Sequence, residues 1–210
     1  MTRGRPRSFD SDKALDQAMR VFWEKGYEGA SIADLTAAMA INPPSLYAAF
    51  GNKEALFRKA LDRYVASKVV FWREALAAPT ARDAVETLLR GSADQLTAEC
   101  NRGCFMIKGS LTCGEAASAL QKEMAAHRAQ GEAALRQRFE LAAEQGDLPA
   151  DAEPASLARY VMAVAQGMSL QAAGGASGKQ LQQIVDVALL AFPLAQAAGK
   201  VKRRALKIAH

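Results

Sequence analysis

The stretch that most limits what this chain can become is Ser31 to Lys53, SIADLTAAMAINPPSLYAAFGNK. At its centre stands Asn42-Pro43-Pro44, which a helix cannot run through, because proline lacks an N–H and restricts the residue before it. Pro44 can, however, occupy the first turn of a new helix. Upstream, Ser31 and Asp34 form an S-x-x-D capping box, and Ile32, Leu35 and Met39 recur at helical spacing, so a short helix starts there. Downstream, Pro44 to Phe50 reads as a second short helix. It buries Leu46 and Phe50 and turns Ser45, Tyr47, Ala48 and Ala49 outward or sideways. Gly51 suits a left-handed stop, and Asn52 suits a cap for a third helix from Lys53. Two short helices so joined, the second with small and polar outward residues, make a helix-turn-helix that fits a DNA major groove. An ordinary helical hairpin is the plainer reading of the same residues.

The flanks favour the first reading. Residues 1 to 10, MTRGRPRSFD, place Arg3, Arg5 and Arg7 at alternate positions in an arm broken by Gly4 and Pro6. Such an arm suits the minor groove or flanking phosphates, where the potential is most negative; a solubilising tail is the alternative. From Ser11 to Lys25, Leu15, Ala18, Met19 and Phe22 form an apolar helical stripe with Trp23 beside it, and Gly26 follows as a stop. Leu15, Met19, Phe22, Ile32, Leu35, Leu46, Tyr47 and Phe50 are expected to share one small core.

The arrangement A-x-x-x-F-x-x-x-G-Y-x-x-x-S-I-x-D-L, then S-L-Y-x-x-F-x-N-K-E-x-L-F, is carried by Ala18, Phe22, Gly26, Tyr27, Ser31, Ile32, Asp34 and Leu35, then by Ser45, Leu46, Tyr47, Phe50, Asn52, Lys53, Glu54, Leu56 and Phe57. It resembles the tetracycline-repressor (TetR) family of transcriptional regulators over about the first quarter of the chain. The resemblance implies a homodimer that lays two recognition helices in successive major grooves of a palindromic operator, and a small ligand that alters their separation. By position it implies a phosphate contact at Ser31, a DNA-facing set of Asn42, Pro43, Ser45 and Tyr47, and a phosphate contact at Lys53. Family members often carry larger polar residues where Pro43, Pro44, Ala48 and Ala49 stand. That departure shifts specificity toward thymine-methyl contact, DNA shape and the arginine arm.

The remainder reads as helices throughout. One long helix from Lys53 to about Ala77 connects two domains, and Pro79 breaks it before a Thr80–Asp83 capping box. A helix from Ala81 to Cys100 buries Val85, Leu88, Leu89 and Leu96. The segment CFMIKGSLTCG follows, then a long helix from about Glu115 to Gln145 on which His127 reads as a packed or half-exposed side chain. The last two helices, Ala155 to Ala173 and about Gly178 to Ala197, are apolar on more than one face, as central or interface helices are. Leu157, Val161, Val164 and Met168, with Leu181, Ile184, Val185, Leu189 and Phe192, are the expected dimer interface, a four-helix contact with the symmetry mate. The fold is therefore expected to be all-α, with a helix-turn-helix domain at 1–52, an effector-binding and dimerisation domain at 53–198 and a basic tail at 199–210. In the resemblance the effector pocket lies among the connecting helix and its successors, with Trp72, Cys104, Phe105, Met106, Phe139, Met162 and Gln166 as candidates. Each is equally readable as core. A mostly apolar pocket with few polar handles is the expectation.

Composition narrows the chemistry. The formal charge is +5, but the tail after Gly199 holds five basic residues and no acid, so the body is neutral and DNA affinity must come from local patches. With two histidines, one of them the terminal His210, there is almost nothing for a catalytic triad or a histidine metal site, and no cofactor is expected. The run GGASGK at 174–179 lacks the spacing and the Ser or Thr of a phosphate loop. Cys100, Cys104 and Cys113 match neither a disulfide framework nor a zinc spacing. No apolar run of about 18 residues is present, and the arginines of the amino terminus are not followed by an apolar core, so a cytoplasmic location is expected. Two alternatives stay open at this level: a thiol-based redox or electrophile sensor using Cys104 or Cys113, and a helical enzyme or non-specific DNA-coating protein.

Overall fold

The computed structural model describes residues 9–98, 103–112 and 117–194. Arg3, Arg5 and Arg7, Cys100, Cys113 and the tail from 199 lie outside these residues. Nine helices and no strand are found among the described residues. They are α1 (Ser11–Gly29), α2 (Ile32–Met39), α3 (Pro43–Phe50), α4 (Lys53–Leu76), α5 (Ala81–Ala98), α6 (Phe105–Thr112), α7 (Ser118–Glu144), α8 (Pro154–Ala173) and α9 (Gly178–Ala191). The segment after the cysteine at 104, given no helix in the sequence reading, is helical.

Most helix starts follow local chemistry. Asp10, Ser31, Asn42, Asn52 and Ser177 each accept a backbone N–H from the first turn of the helix they precede, satisfying donors that the helix itself cannot. Thr80 does the same for Asp83 at 3.0 Å. Two stops differ in kind. Gly26, at φ 72°, breaks α1 as a glycine can. Helix α2, in contrast, ends before the prolines: Ala40 takes a left-handed φ of 54° and its N–H closes onto the carbonyls of Thr36 and Ala37. The prolines then fill the first two positions of α3, where a missing N–H costs nothing.

Two apolar cores result. The first joins α1, α2 and α3 through Phe22, Leu35, Leu46 and Phe50, and continues into α4 (Leu56, Phe57, Leu61, Tyr64), α6 (Phe105) and the start of α7 (Leu120, Met124). The second joins α5, the later part of α7, α8 and α9. Tyr47 is not in the first core: it is 50% exposed on α3, because its position is turned to one side of the Leu46–Phe50 stripe. Ion pairs bind the layers at the surface, with Arg63 of α4 on Asp16 of α1, Arg58 of α4 on Glu123 of α7, and Arg90 of α5 on Asp186 of α9. Each holds its guanidinium pKa above the ordinary value, chiefly through a hydrogen bond to Glu123 for Arg58, to Asp16 for Arg63 and to Glu86 for Arg90.

Candidate DNA-binding head and effector cavity

At the head, α3 presents Pro43, Pro44, Tyr47 and Ala48 to solvent, with Ser45 half-buried. Asn42 Oδ1 accepts the Ser45 N–H at 2.9 Å, so its carbonyl sets the start of the helix. Ser31 completes the capping box: its Oγ accepts the Asp34 N–H at 3.0 Å, and its own N–H donates to Asp34 Oδ2 at 3.1 Å. Lys25 Nζ donates to the other oxygen of Asp34. That bond, then those from Ser31, hold the Asp34 carboxyl at about 2, below the ordinary 3.8. Lys53 lies over the Tyr27 ring, 4.7 Å from its centroid, with Nζ 3.4 Å from the Glu28 carbonyl. The expected DNA-facing residues that are described, Ser31, Asn42, Pro43, Ser45, Tyr47 and Lys53, thus fall on the α2 and α3 starts, the outer face of α3 and the start of α4. Phe9 packs on Phe50, ring centroids 6.3 Å apart, which ties the beginning of the described chain to the end of α3.

Behind the head lies a cavity of about 340 Å³. Tyr64, Lys68, Trp72 and Leu76 of α4 form one wall at every fourth position, with Phe71 beside them; Leu88, Ser92 and Gln95 of α5 form another. Arg128, Gly131 and Ala134 come from α7, and Met162, Gln166 and Ser169 from α8. Cys104, Met106 and Ile107 close it at α6. Trp72, Cys104, Met106, Met162 and Gln166 of the expected set therefore line it. Phe105 and Phe139 do not. Phe105 stacks on Phe57 at 5.3 Å in the first core, and Phe139 sits against Phe192 at 5.5 Å in the second; their helical positions point them at neighbouring helices. His127 is half-buried and lines the cavity. Tyr64, Lys68 and Gln95 were missed by the sequence reading, though the fourfold spacing Tyr64, Lys68, Trp72, Leu76 was available to find the stripe.

Two glycines seat the aromatic walls. A Cβ on Gly91 would stand 2.3 Å from the Phe71 ring, and one on Gly131 would stand 3.2 Å from the Trp72 ring. Tyr64 donates its hydroxyl to Cys104 Sγ at 3.3 Å.

The expected interface set divides between the protomer's own core and its surface. Val161, Met168, Leu181, Val185, Leu189 and Phe192 are buried inside the protomer's own second core, while Leu157, Val164 and Ile184 are half-buried and keep part of their surface outside it. The outward apolar face of α8 and α9 is Leu170, Val187 (66% exposed) and Leu190 (83% exposed). A helix apolar on two faces does not reveal which face meets its own chain.

Residues 14–60 match the family model described as bacterial regulatory proteins, tetR family, and residues 82–188 match that of the tetracyclin repressor-like C-terminal domain. The chain is 36% identical over 200 residues to the HTH-type transcriptional repressor ComR of Escherichia coli K12, covering 91% of this chain and 93% of ComR. It is 30% identical over 189 residues to the uncharacterized HTH-type transcriptional regulator YezE of Bacillus subtilis, covering 89% and 97%. Among solved structures, a cysteine-substituted TetR family regulator CifR, complexed with double-strand operator DNA, superposes with a TM-score of 0.85 at 42% identity, covering 90% of this chain and 100% of that one. No helix among the described residues is long and apolar enough to cross a membrane. With both halves of the architecture matched, the chain belongs to the TetR family of DNA-binding transcriptional repressors, and it is a regulator rather than an enzyme.

Proposed function

We propose that this protein is a cytoplasmic, ligand-responsive repressor that binds a palindromic operator as a homodimer and leaves it when a small amphipathic molecule enters the α4–α8 cavity. The observation that carries the ligand response is the double role of α6. Cys104, Met106 and Ile107 at its start line the cavity, while Phe105 between them packs on Phe57 of α4 and stands 5.8 Å from the Trp23 ring of α1. The Trp23 indole N–H donates to the Gly103 carbonyl at 3.1 Å just before α6. A molecule that presses on this short helix presses on the head. Because packed cores have discrete arrangements, a small shift there becomes a change in the angle of α1 and the helices it supports.

In this reading the functional division is 1–52 for DNA, 53–198 for effector and dimer, and 199–210 for a basic tail, although the apolar packing crosses the first boundary. Tyr47 contacts bases, Asn42, Pro43 and Ser45 approach the groove, and Ser31 and Lys53, with Arg3, Arg5 and Arg7, meet phosphates. Leu170, Val187 and Leu190 form the centre of the dimer contact, since apolar side chains this exposed on adjacent helices mark association surfaces. CifR's complex with operator DNA supports the reading.

Selection from a random duplex library at about physiological salt tests it: a palindrome with half-sites roughly one helical turn apart is expected. Tyr47→Ala and Lys53→Ala should weaken binding to that palindrome and leave dimerisation intact. Retention without an enriched sequence, fading steeply with salt, would reduce the interaction to electrostatics. A thiol-sensing reading has one observation in its favour, the position of Cys104 on the cavity wall beside the Tyr64 hydroxyl. A peroxide or electrophile response that persists in Cys104→Ser removes Cys104 from it.

A further inference from the structure

At one end of the cavity Trp72 of α4 and Met162 of α8 meet over Gly131 of α7. A Cβ built on Gly131 would stand 3.2 Å from Trp72 Cη2, 3.6 Å from Cζ2 and 3.8 Å from Met162 Cε. The edge of the indole therefore lies back against the α7 backbone, closer than a side chain at 131 would let it. With a larger residue there, either the ring moves off α7 or the new side chain takes up the space. Both remove volume from the same end, since all three residues line the cavity. The present volume is about 340 Å³. An apolar cavity of about 150 Å³ takes benzene, so this one takes about thirteen non-hydrogen atoms, the size of two fused rings with a substituent.

Several polar atoms of the wall are committed to one another. Gln95 Oε1 accepts from Lys68 Nζ at 2.8 Å, the Tyr64 hydroxyl donates to Cys104 Sγ at 3.3 Å, and Ser169 Oγ accepts the Cys104 N–H at 2.6 Å. Gln166 is not. It is half-buried on the wall, and its side-chain amide has no hydrogen-bond partner among the described residues. A glutamine amide carries two donor hydrogens and an acceptor oxygen. Beside an apolar space these need a partner from solvent or from a guest. Gln166 stands one turn beyond Met162 on α8, about 6 Å along the axis. A guest whose body rests at the Trp72–Met162 end is therefore within its reach.

We infer that the effector carries an amide or comparable donor–acceptor group, paired with Gln166, on an apolar body the size of two fused rings seated at Trp72 and Met162. The inference rests on the reading of this cavity as the effector site and names the ligand class it takes. Gln166 selects the polar group, and Gly131 sets the length of the body. Ser169, three residues further along α8, holds the backbone N–H of the chain entering α6. The polar group of the ligand thus comes to rest beside the connection between α8 and the DNA-binding head.

Equilibrium dialysis of the full chain against 2-naphthamide, benzamide and 2-isopropylnaphthalene tests this, using wild type, Gln166→Leu, Gly131→Ala and Gly131→Val. Wild type should bind 2-naphthamide at least about tenfold more tightly than benzamide, because the second ring adds apolar burial. Gly131→Val should erase most of that margin. Gly131→Ala, which a helix favours over glycine, should reduce it less. Gln166→Leu should weaken 2-naphthamide by about tenfold, as the loss of its hydrogen bonds predicts, and should leave 2-isopropylnaphthalene bound no less tightly. A margin over benzamide unchanged in both Gly131 variants would overturn Gly131 as the gauge of length. Equal binding of 2-naphthamide by wild type and Gln166→Leu, weakened by Gly131→Val, would overturn the amide class and leave the cavity as effector site. Binding indifferent to both positions, or no binding of any probe, would refute the inference together with the cavity reading.

Discussion

Replacing Trp23 by Phe removes the one described side-chain hydrogen bond between α1 and the segment entering α6. Trp23 is 4% exposed and Gly103 is buried, so the freed Gly103 carbonyl has little water to turn to. Leaving a buried acceptor unsatisfied costs about 1–3 kcal/mol. The smaller ring also weakens two edge-on contacts, with Tyr64 at 5.2 Å and Phe105 at 5.8 Å; such pairs contribute about 0.5–1.5 kcal/mol beyond their area. Together the substitution should lower stability by about 2–4 kcal/mol. Urea unfolding followed by circular dichroism, at fixed protein concentration because association adds to stability, measures it. Incorporating benzothienylalanine at position 23 keeps the bicyclic shape and deletes only the donor, and should account for about 1–3 kcal/mol of the loss. A loss under about 0.5 kcal/mol for that analogue would refute the argument that the Gly103 carbonyl depends on Trp23. The link between cavity and head would then have to run through the ring contacts of Phe105 with Trp23 and Phe57.

Gly103→Ala should also be damaging, because φ is +74° and the new Cβ would stand 2.8 Å from the Ser169 carbonyl oxygen; a cost of about 1–3 kcal/mol is expected from the left-handed strain, read by the same unfolding experiment. Val187→Asp or Leu190→Asp should convert the dimer to monomer in sedimentation experiments. Each buried apolar side chain contributes about 1.5–3 kcal/mol, and a two-fold interface counts it twice; an unchanged dimer would exclude this face. The Asp34 carboxyl, held at about 2 first by Lys25 and then by Ser31, sits below its unfolded value, so its contribution to the start of α2 is complete above about 3.8 and is lost as pH falls through about 2. Chemical shifts of the Ser31 and Asp34 amides should titrate near the lower value in wild type and nearer the ordinary one in Lys25→Met; a wild-type midpoint near 4 would refute the bridge.

Local rules carry a long way in this protein. Ser31, Asn52 and Thr80 start helices where their side chains predict, since a cap needs only the three residues that follow it. The helix-turn-helix was legible for the same reason, and so was its all-α surround. Even there one stop was misassigned to the prolines, because nothing about Ala40 as a residue type announces a left-handed turn. The short helix α6 escaped notice as well: its apolar face is divided between the cavity and the first core, so no single stripe shows.

What the amino-acid sequence determined alone was therefore the helices, their caps and the head that reads DNA, all set by interactions within a few residues. Which face of each helix is core, cavity or outer surface was decided only by the tertiary structure. Phe105 and Trp72 are both aromatic on helices near the cavity, yet one is core and the other is wall. Leu189 and Leu190 are neighbours in the chain, yet one is sealed in the protomer and the other stands in solvent. The reason is physical: apolar periodicity measures only that a surface must be covered, and the partner that covers it comes from elsewhere in the chain, or from another molecule.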